Sequence, residues 1–176
     1  MHRFVEGDES AFTQLVVRHY DALTRWVRHV VGARPEVDDI IQETFVAVMS
    51  SAASFDGEGS AKAWIFGIAR HRIARQFRRR VSEPEVFEPL EDLGLRAGWG
   101  NPELAASRTE SIERVEAALA RLSEDAREVI VLRDIEGFTN PEAAEILGLE
   151  VNAVKSRLHR ARLALMAELS DEVEHG

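Results

Sequence analysis

Four cations fall within the stretch AVKSRLHRARLAL (153–165): Lys155, Arg157, Arg160 and Arg162, with no acid among them. An ammonium and three planar guanidinium forks in so short a span suit phosphate oxygens and the hydrogen-bonding edge of guanine. A second island runs from Arg70 to Arg80, with six arginines and no acid. Both stand in a chain of net charge −9, with 31 acidic and 22 basic side chains. Residues 1–80 carry a net +2, residues 81–107 a net −5 and residues 108–176 a net −6. Two local islands in an acidic background point to two separate anion-facing surfaces rather than one general polyanion binder.

Other chemistries are poorly provided for. With no cysteine there are no disulfides, thiolate zinc sites or cysteine nucleophiles. His19, His29 and His71 have no acids at metal-ligand spacing. No nucleophile elbow, phosphate-binding glycine loop or catalytic carboxylate pair occurs, and Asp38-Asp39 and Glu124-Asp125 suit solvated helix starts. The one tyrosine, Tyr20, is far in sequence from either arginine island, which argues against a recombinase. No catalytic residue, metal or cofactor is therefore expected, and the chain reads as a non-enzyme. There is no run of 18 uncharged apolar residues and no leading segment of signal-peptide length. The expected compartment is the cytoplasm, without membrane insertion.

The elements that must carry the islands read as helices throughout. Val37, Ile41, Phe45 and Val48 recur at helical spacing, leaving Asp39, Gln42, Glu43 and Val46 on other faces. Ile65, Ala69, Ile73 and Phe77 line one face of the arginine-rich helix, with His71, Arg75 and Arg78 on another. Phe12, Leu15, Val16, Leu23, Trp26 and Val27 form a stripe on an earlier helix. Between the second and third helices, residues 54–60 form a loop by their glycine, serine and aspartate content. Further along, Ile112, Val115, Ala118, Leu119 and Leu122 are expected to face inward. Residues 82–107, with three of the five prolines and three glycines, read as a flexible acidic linker. The expectation is an all-α chain of two small helical domains, 1–81 and 108–176, joined by that linker.

The C-terminal block carries a helix-turn-helix pattern. Ser123 caps one helix and Gly137 ends it. Thr139 or Asn140 caps the next, with Pro141 at its first position and Gly148 stopping it. After the turn 148–150, Val154, Leu158, Ala161 and Leu165 face a core. Asn152, Lys155, Ser156, His159 and Arg160 point away from it, flanked by Arg157 and Arg162. Such a helix can enter a major groove, the flanking arginines neutralising phosphates. The plainer alternative is a solvated basic face, which the agreement of turn, caps and apolar phase disfavours.

These residues resemble a known family. LSEDAREVIVLRDIEGFTNPEAAEILGLEVNAVKSRLHRARLAL is similar to region 4 of the extracytoplasmic-function sigma factors, within the sigma-70 family of bacteria. GDESAFTQLVVRHYDALTRWV and VDDIIQETFVAVM resemble regions 2.1 and 2.2. SFDGEGSAKAWIFGIARHRIARQFRRR resembles regions 2.3 and 2.4. The resemblance implies a promoter-specificity subunit of RNA polymerase. It implies docking on the β′ clamp helices through Asp39, Gln42 and Glu43, and a contact of region 4 with the β flap. Reading and melting of the −10 element would fall to Phe55, Asp56, Gly57, Lys62, Trp64, His71, Arg72, Arg75, Arg78 and Arg79. Reading of the −35 element would fall to Asn152, Lys155, Ser156, Arg157, His159, Arg160 and Arg162. His71 stands where the family usually has Asn, and Arg75 where it usually has Asp. An anti-sigma factor is a common partner in the family.

Read without the resemblance, Asp39, Gln42 and Glu43 are a polar helix face, and a tryptophan such as Trp64 is more often core than a base-stacking platform. The rival function is an ordinary helix-turn-helix regulator with an N-terminal sensor, binding DNA as a dimer without polymerase.

Overall fold

Several helices begin or end where a side chain or a glycine serves the backbone groups that helix ends leave unpaired. The computed structural model describes residues 4, 8–32, 34–55, 57, 59–80 and 102–175, with the backbone alone described at 9, 77–80, 102–110 and 171–175. Helix α1 (Glu9–Val31) starts at Asp8, whose carboxylate accepts from the backbone N–H of Ser10 and Ala11. Helix α2 (Glu36–Ser51) opens with Glu36, Asp38 and Asp39, carboxylates placed where the helix dipole favours them. A 3₁₀ turn (Ala52–Ser54) leads through the loop to α3 (Ala61–Arg80).

In the second half, α4 spans Pro102–Arg121. Helix α5 (Glu124–Ile130) is capped by Ser123 and runs into a π-helical turn, Val131–Ile135. Helix α6 (Asn140–Leu147) has a full capping box between Thr139 and Glu142, and stops at Gly148, φ +63°. A left-handed residue there lets the chain turn within a few residues into α7 (Val151–His175). Among the described residues there is no strand, and the all-α expectation holds.

Two boundaries and one inward-facing residue differ from the sequence expectation. Helix α4 begins at Pro102, inside the stretch expected as linker. Proline tolerates the first turn of a helix because its missing N–H has no partner there anyway. Helix α7 runs on to His175, past Leu165, the last residue of its expected core-facing row. Val115, expected inward, is 38% exposed, because at that level α4 turns Ile112 and Glu116 toward the neighbouring helices. The remainder of the linker, residues 81–101, lies outside the described residues.

The other core expectations hold where side chains are described. Val37, Ile41, Phe45 and Val48 are buried, as are Leu23, Trp26, Val27, Ile65, Ala69 and Ile73. Val154, Leu158 and Ala161 are buried under α7. The two bundles, α1–α3 and α4–α7, are also packed on each other: α3 lies against α6, and α1 against α5. Phe66 of α3 bridges them, its ring 5.2 Å from Trp26 and 4.8 Å edge-on to Phe138. Burying a phenylalanine contributes about 1.5–3 kcal/mol, so this aromatic contact is a substantial part of the adhesion between the halves.

His29 of α1 is buried at the same seam, its Nε2 3.6 Å from Glu116 Oε2 of α4. Burial, helped by the charges of Arg127 and Arg25, lowers its pKa to about 4. Burial likewise pushes Glu116 up. At neutral pH His29 is therefore neutral and the contact is not a salt bridge.

An unfolded chain protonates this histidine near 6.5, whereas the fold resists until about pH 4. Stability should be independent of His29 above that range and fall as pH drops through it, by on the order of 3 kcal/mol in all. The raised pKa of Glu116 acts in the opposite direction, so the comparison with His29→Gln isolates the histidine. Urea unfolding from pH 7 to 4 should show a shallower decline in the variant; equal slopes would refute the assignment.

Candidate nucleic-acid interface

Helix α7 separates its residues as the wheel predicts. Val154, Leu158 and Ala161 anchor it, while Asn152, Lys155, Ser156, His159 and Arg160 are exposed. Among the described residues, no side-chain hydrogen bond or ion pair engages Lys155, Ser156, His159 or Arg160. They form a row free to meet a ligand.

The flanking arginines are held differently. Arg157 Nη1 lies 2.8 Å from Asp125 Oδ1 at the start of α5. Arg162 makes a bidentate pair with Asp134 of the π turn, Nε to Oδ2 at 2.9 Å and Nη2 to Oδ1 at 2.5 Å. That hydrogen bonding raises the pKa of Arg162 still further. In this arrangement both arginines brace α7 against α5 and its π turn rather than stand free for phosphate. Arg133 of the same turn donates to Asn140 Oδ1 at 2.7 Å, tying the turn to the start of α6.

The first basic island faces a groove of about 1190 Å³ between α2 and α3. One wall carries Asp39, Gln42 and Glu43, and the other carries His71, Arg72 and Arg75. Residues expected to serve two tasks thus line opposite sides of one groove. Beside it, Phe12, Tyr20, Phe45 and Met49 line a smaller apolar groove that also touches Gln42. Tyr20, Val46 and Met49 are exposed there.

The loop before α3 turns at Gly57 and Gly59, φ +82° and +77°. Phe55 packs at 5.3 Å on Trp64, and Trp64 rests partly buried on the core. This matches the plainer expectation for a tryptophan while leaving part of the ring accessible. Asp56 lies outside the described residues, as do the side chains of Arg78 and Arg79.

Lys62 departs from a free DNA-facing position. Its Nζ donates to the backbone carbonyl of Glu136 at 2.7 Å, lies 3.2 Å from Glu136 Oε2, and stands 4.6 Å from the centre of the Phe138 ring. Arg25 Nε donates to Glu136 Oε1 at 2.8 Å, and Arg70 Nε to Glu128 Oε1 at 2.9 Å. The Glu136 and Glu128 side chains are only 2% and 5% exposed. Burial pushes Glu128 up, against the Arg70 charge and hydrogen bond that pull it down.

Sequence reasoning missed these two acids. Glu128, Leu132 and Glu136 recur at spacing four, which places both carboxylates in line with a core leucine. That signal was legible, but nothing in the sequence said which cations would meet them.

Two family profiles match the chain. "Sigma-70 region 2" covers residues 15–83, and "Sigma-70, region 4" covers residues 112–165. The RNA polymerase sigma factor CnrH of Cupriavidus metallidurans is 38% identical over 174 residues, 96% of this chain and 91% of that protein. The RNA polymerase sigma factor YlaC of Bacillus subtilis is 31% identical over 167 residues, 94% of each. Among solved structures, CnrH in complex with the cytosolic domain of CnrY aligns with a TM-score of 0.67 and 36% identity, covering 94% of this chain and 92% of that one. The sigma factor RpoE in complex with the anti-sigma factor NepR, from Bartonella quintana, aligns with a TM-score of 0.75 and 25% identity, covering 91% and 97%.

The braces on α7 lead to an expected outcome. Asp134→Ala should cost under about 1 kcal/mol of stability, since the pair is exposed. It frees Arg162 for a phosphate, so duplex binding should tighten and its log–log salt slope should steepen by about 1. An unchanged slope would show that Arg162 does not reach the duplex.

Proposed function

Since this chain belongs to the extracytoplasmic-function branch of the sigma-70 family of RNA polymerase sigma factors, we propose how its own residues divide the work of directing core polymerase to promoters. The observation that carries the assignment is the exposed row Asn152, Lys155, Ser156, His159 and Arg160 on α7, behind a capped and glycine-terminated helix-turn-helix. This row reads the −35 element in the major groove, Arg160 and Lys155 meeting base edges. Arg157 and Arg162 hold the helix at its angle and contribute to phosphate neutralisation where their carboxylate partners yield.

The first half docks on polymerase and reads the −10 element. Asp39, Gln42 and Glu43 meet the β′ clamp helices, and the adjoining apolar groove gives that contact a hydrophobic component. His71, Arg72 and Arg75, with Arg78 and Arg79 further along α3, follow the −10 phosphates. Phe55, Asp56, Gly57 and Trp64 receive a base taken out of the stack. The second half also contacts the β flap.

The chain adds no catalytic group; bond-making belongs to polymerase, and the site of action is the cytoplasm. No helix among the described residues is long and apolar enough to cross a membrane. CnrH and RpoE are each seen with a protein bound, the cytosolic domain of CnrY and the anti-sigma factor NepR. An anti-sigma factor is accordingly proposed as a partner here. The ordinary regulator is not favoured, because regions 2 and 4 both match, in order.

Two measurements test the division. Gln42→Ala with Glu43→Ala should weaken binding to core polymerase with a stability change under about 0.5 kcal/mol, both side chains being exposed. Undiminished affinity would remove these residues from the docking face. Arg160→Ala should cost about 1–3 kcal/mol of promoter binding by the holoenzyme and relax base preference at one −35 position. A uniform loss across a promoter panel would make it a phosphate contact instead.

A further inference from the structure

Of the 22 basic side chains, 20 are arginine and only two are lysine, Lys62 and Lys155. The difference matters chemically. A guanidinium stays charged, whereas a lysine amine is a nucleophile that can take an acyl group and lose its charge in doing so.

The fold treats the two lysines in opposite ways. Lys62 Nζ donates to the Glu136 carbonyl at 2.7 Å, lies 3.2 Å from Glu136 Oε2 and stands 4.6 Å from the centre of the Phe138 ring. Its side chain is 26% exposed. An amine held by a carbonyl and a carboxylate beside an aromatic ring offers no open approach to an incoming carbonyl carbon. Lys155 is exposed on α7, and among the described residues no side-chain hydrogen bond or ion pair engages it.

The neighbours of Lys155 complete the chemistry. His159 lies four residues on, which puts the two side chains on one helix face with Cβ atoms about 5–6 Å apart. Its imidazole is exposed and unpaired, and a neutral imidazole nitrogen accepts a proton. Arg160 is exposed and unpaired beside them, with a planar fork that takes phosphate oxygens. Arg157, by contrast, is occupied by Asp125 at 2.8 Å. No acid occurs between Glu150 and Glu168, so no carboxylate of this stretch competes for the amine or repels an anionic donor. A nucleophile, a proton acceptor and an anion site thus stand together on one exposed face. That set fits an acyl phosphate: its phosphate is drawn to the arginine, and its carbonyl carbon comes to the amine.

We propose that Lys155 is an acylation site that takes its acyl group from an acyl phosphate, and that acylation switches off reading by α7. The switch rests on the assignment of the exposed row to the −35 element; the site itself does not. The Lys155 ammonium passes one proton to His159 and on to water. Its nitrogen lone pair attacks the acyl carbon, the bond from that carbon to the phosphate oxygen breaks, and inorganic phosphate leaves with the electron pair. An amide forms, one proton is released, and nothing is oxidised or reduced. The amide nitrogen is uncharged and carries a single N–H. Lys155 then lacks both the charge that meets a phosphate and the donors that meet a guanine edge.

The test starts on the full-length chain, with acetyl phosphate as the donor. The reagent is removed before core polymerase is added, so that only this chain is modified. Peptide mass spectrometry should find Lys155 acetylated well before Lys62. His159→Gln, which cannot take up the proton, should slow acetylation of Lys155 severalfold. A rate at Lys155 no greater than at Lys62 overturns the site, and an unchanged rate in His159→Gln overturns the role of the imidazole. Holoenzyme built with acetylated chain should bind promoter duplex about tenfold more weakly, with a log–log salt slope shallower by about 1. Lys155→Arg keeps the charge and the helix preference and has no amine to acetylate. Its promoter binding, whatever its level, should not change on treatment; a loss equal to that of the unmodified chain places the effect at another amine and overturns the switch. Lys155→Ala separates the two readings. If it weakens promoter binding while acetylation does not, the switch falls and the reading row stands. If neither alters binding, Lys155 is no part of the −35 contact, and the switch falls together with that part of the row.

Discussion

A carboxylate withdrawn from water must be paired or give up its charge. Glu136 is withdrawn almost completely and meets two cations, Arg25 from α1 and Lys62 from α3. That requirement fixes three elements at one point. It sets the end of the π turn against the first bundle, which places Phe138 edge-on to Phe66. It thereby sets the start of α6 on α3, and α7 follows from α6 through the short glycine turn. Loss of one partner from a buried pair leaves an uncompensated charge, which costs far more than the intact pair contributes. The position of the second half on the first is therefore sharply specified even where its apolar contact is modest.

The acidity of the chain is organised around its cations. Asp125 and Asp134 hold Arg157 and Arg162, while Glu128 and Glu136 hold Arg70, Arg25 and Lys62. Among the described residues, Lys155, Ser156, His159 and Arg160 on α7 have no side-chain hydrogen bond or ion pair. Paired cations position a helix, and unpaired ones are left to read a ligand. An excess of carboxylates elsewhere repels a duplex within a Debye length of about 8 Å at physiological salt. Specific contact is thereby favoured over loose adhesion to DNA.

Exposed apolar side chains of α1 and α2 gather beside Asp39, Gln42 and Glu43. A polar row next to Tyr20, Val46 and Met49 has the make-up of a protein-binding surface, with an apolar centre and a polar rim. The basic wall of His71, Arg72 and Arg75 lies across the neighbouring groove, so on the proposed division nucleic-acid and protein contacts lie close together on one small bundle.

The sequence by itself determined most of the helices, the caps at Ser123 and at the start of α6 and, Val115 apart, the described buried faces. These depend on neighbours one to four residues apart: Thr139 with Glu142, Gly148 after Leu147, Val154 with Leu158 and Ala161. The outward row of α7 was legible for the same reason, because a helix of known phase fixes which side chains cannot reach the core. Tertiary structure alone decided the rest. Whether Arg162 is free or braced depends on Asp134, 28 residues away, and whether Lys62 faces DNA or protein depends on Glu136, 74 residues away. Spacing along a helix says that Glu128 and Glu136 share a face with Leu132. It cannot say that another bundle will bury that face and supply the cations, because Coulomb attraction and burial act through space between groups whose separation only the packed chain sets.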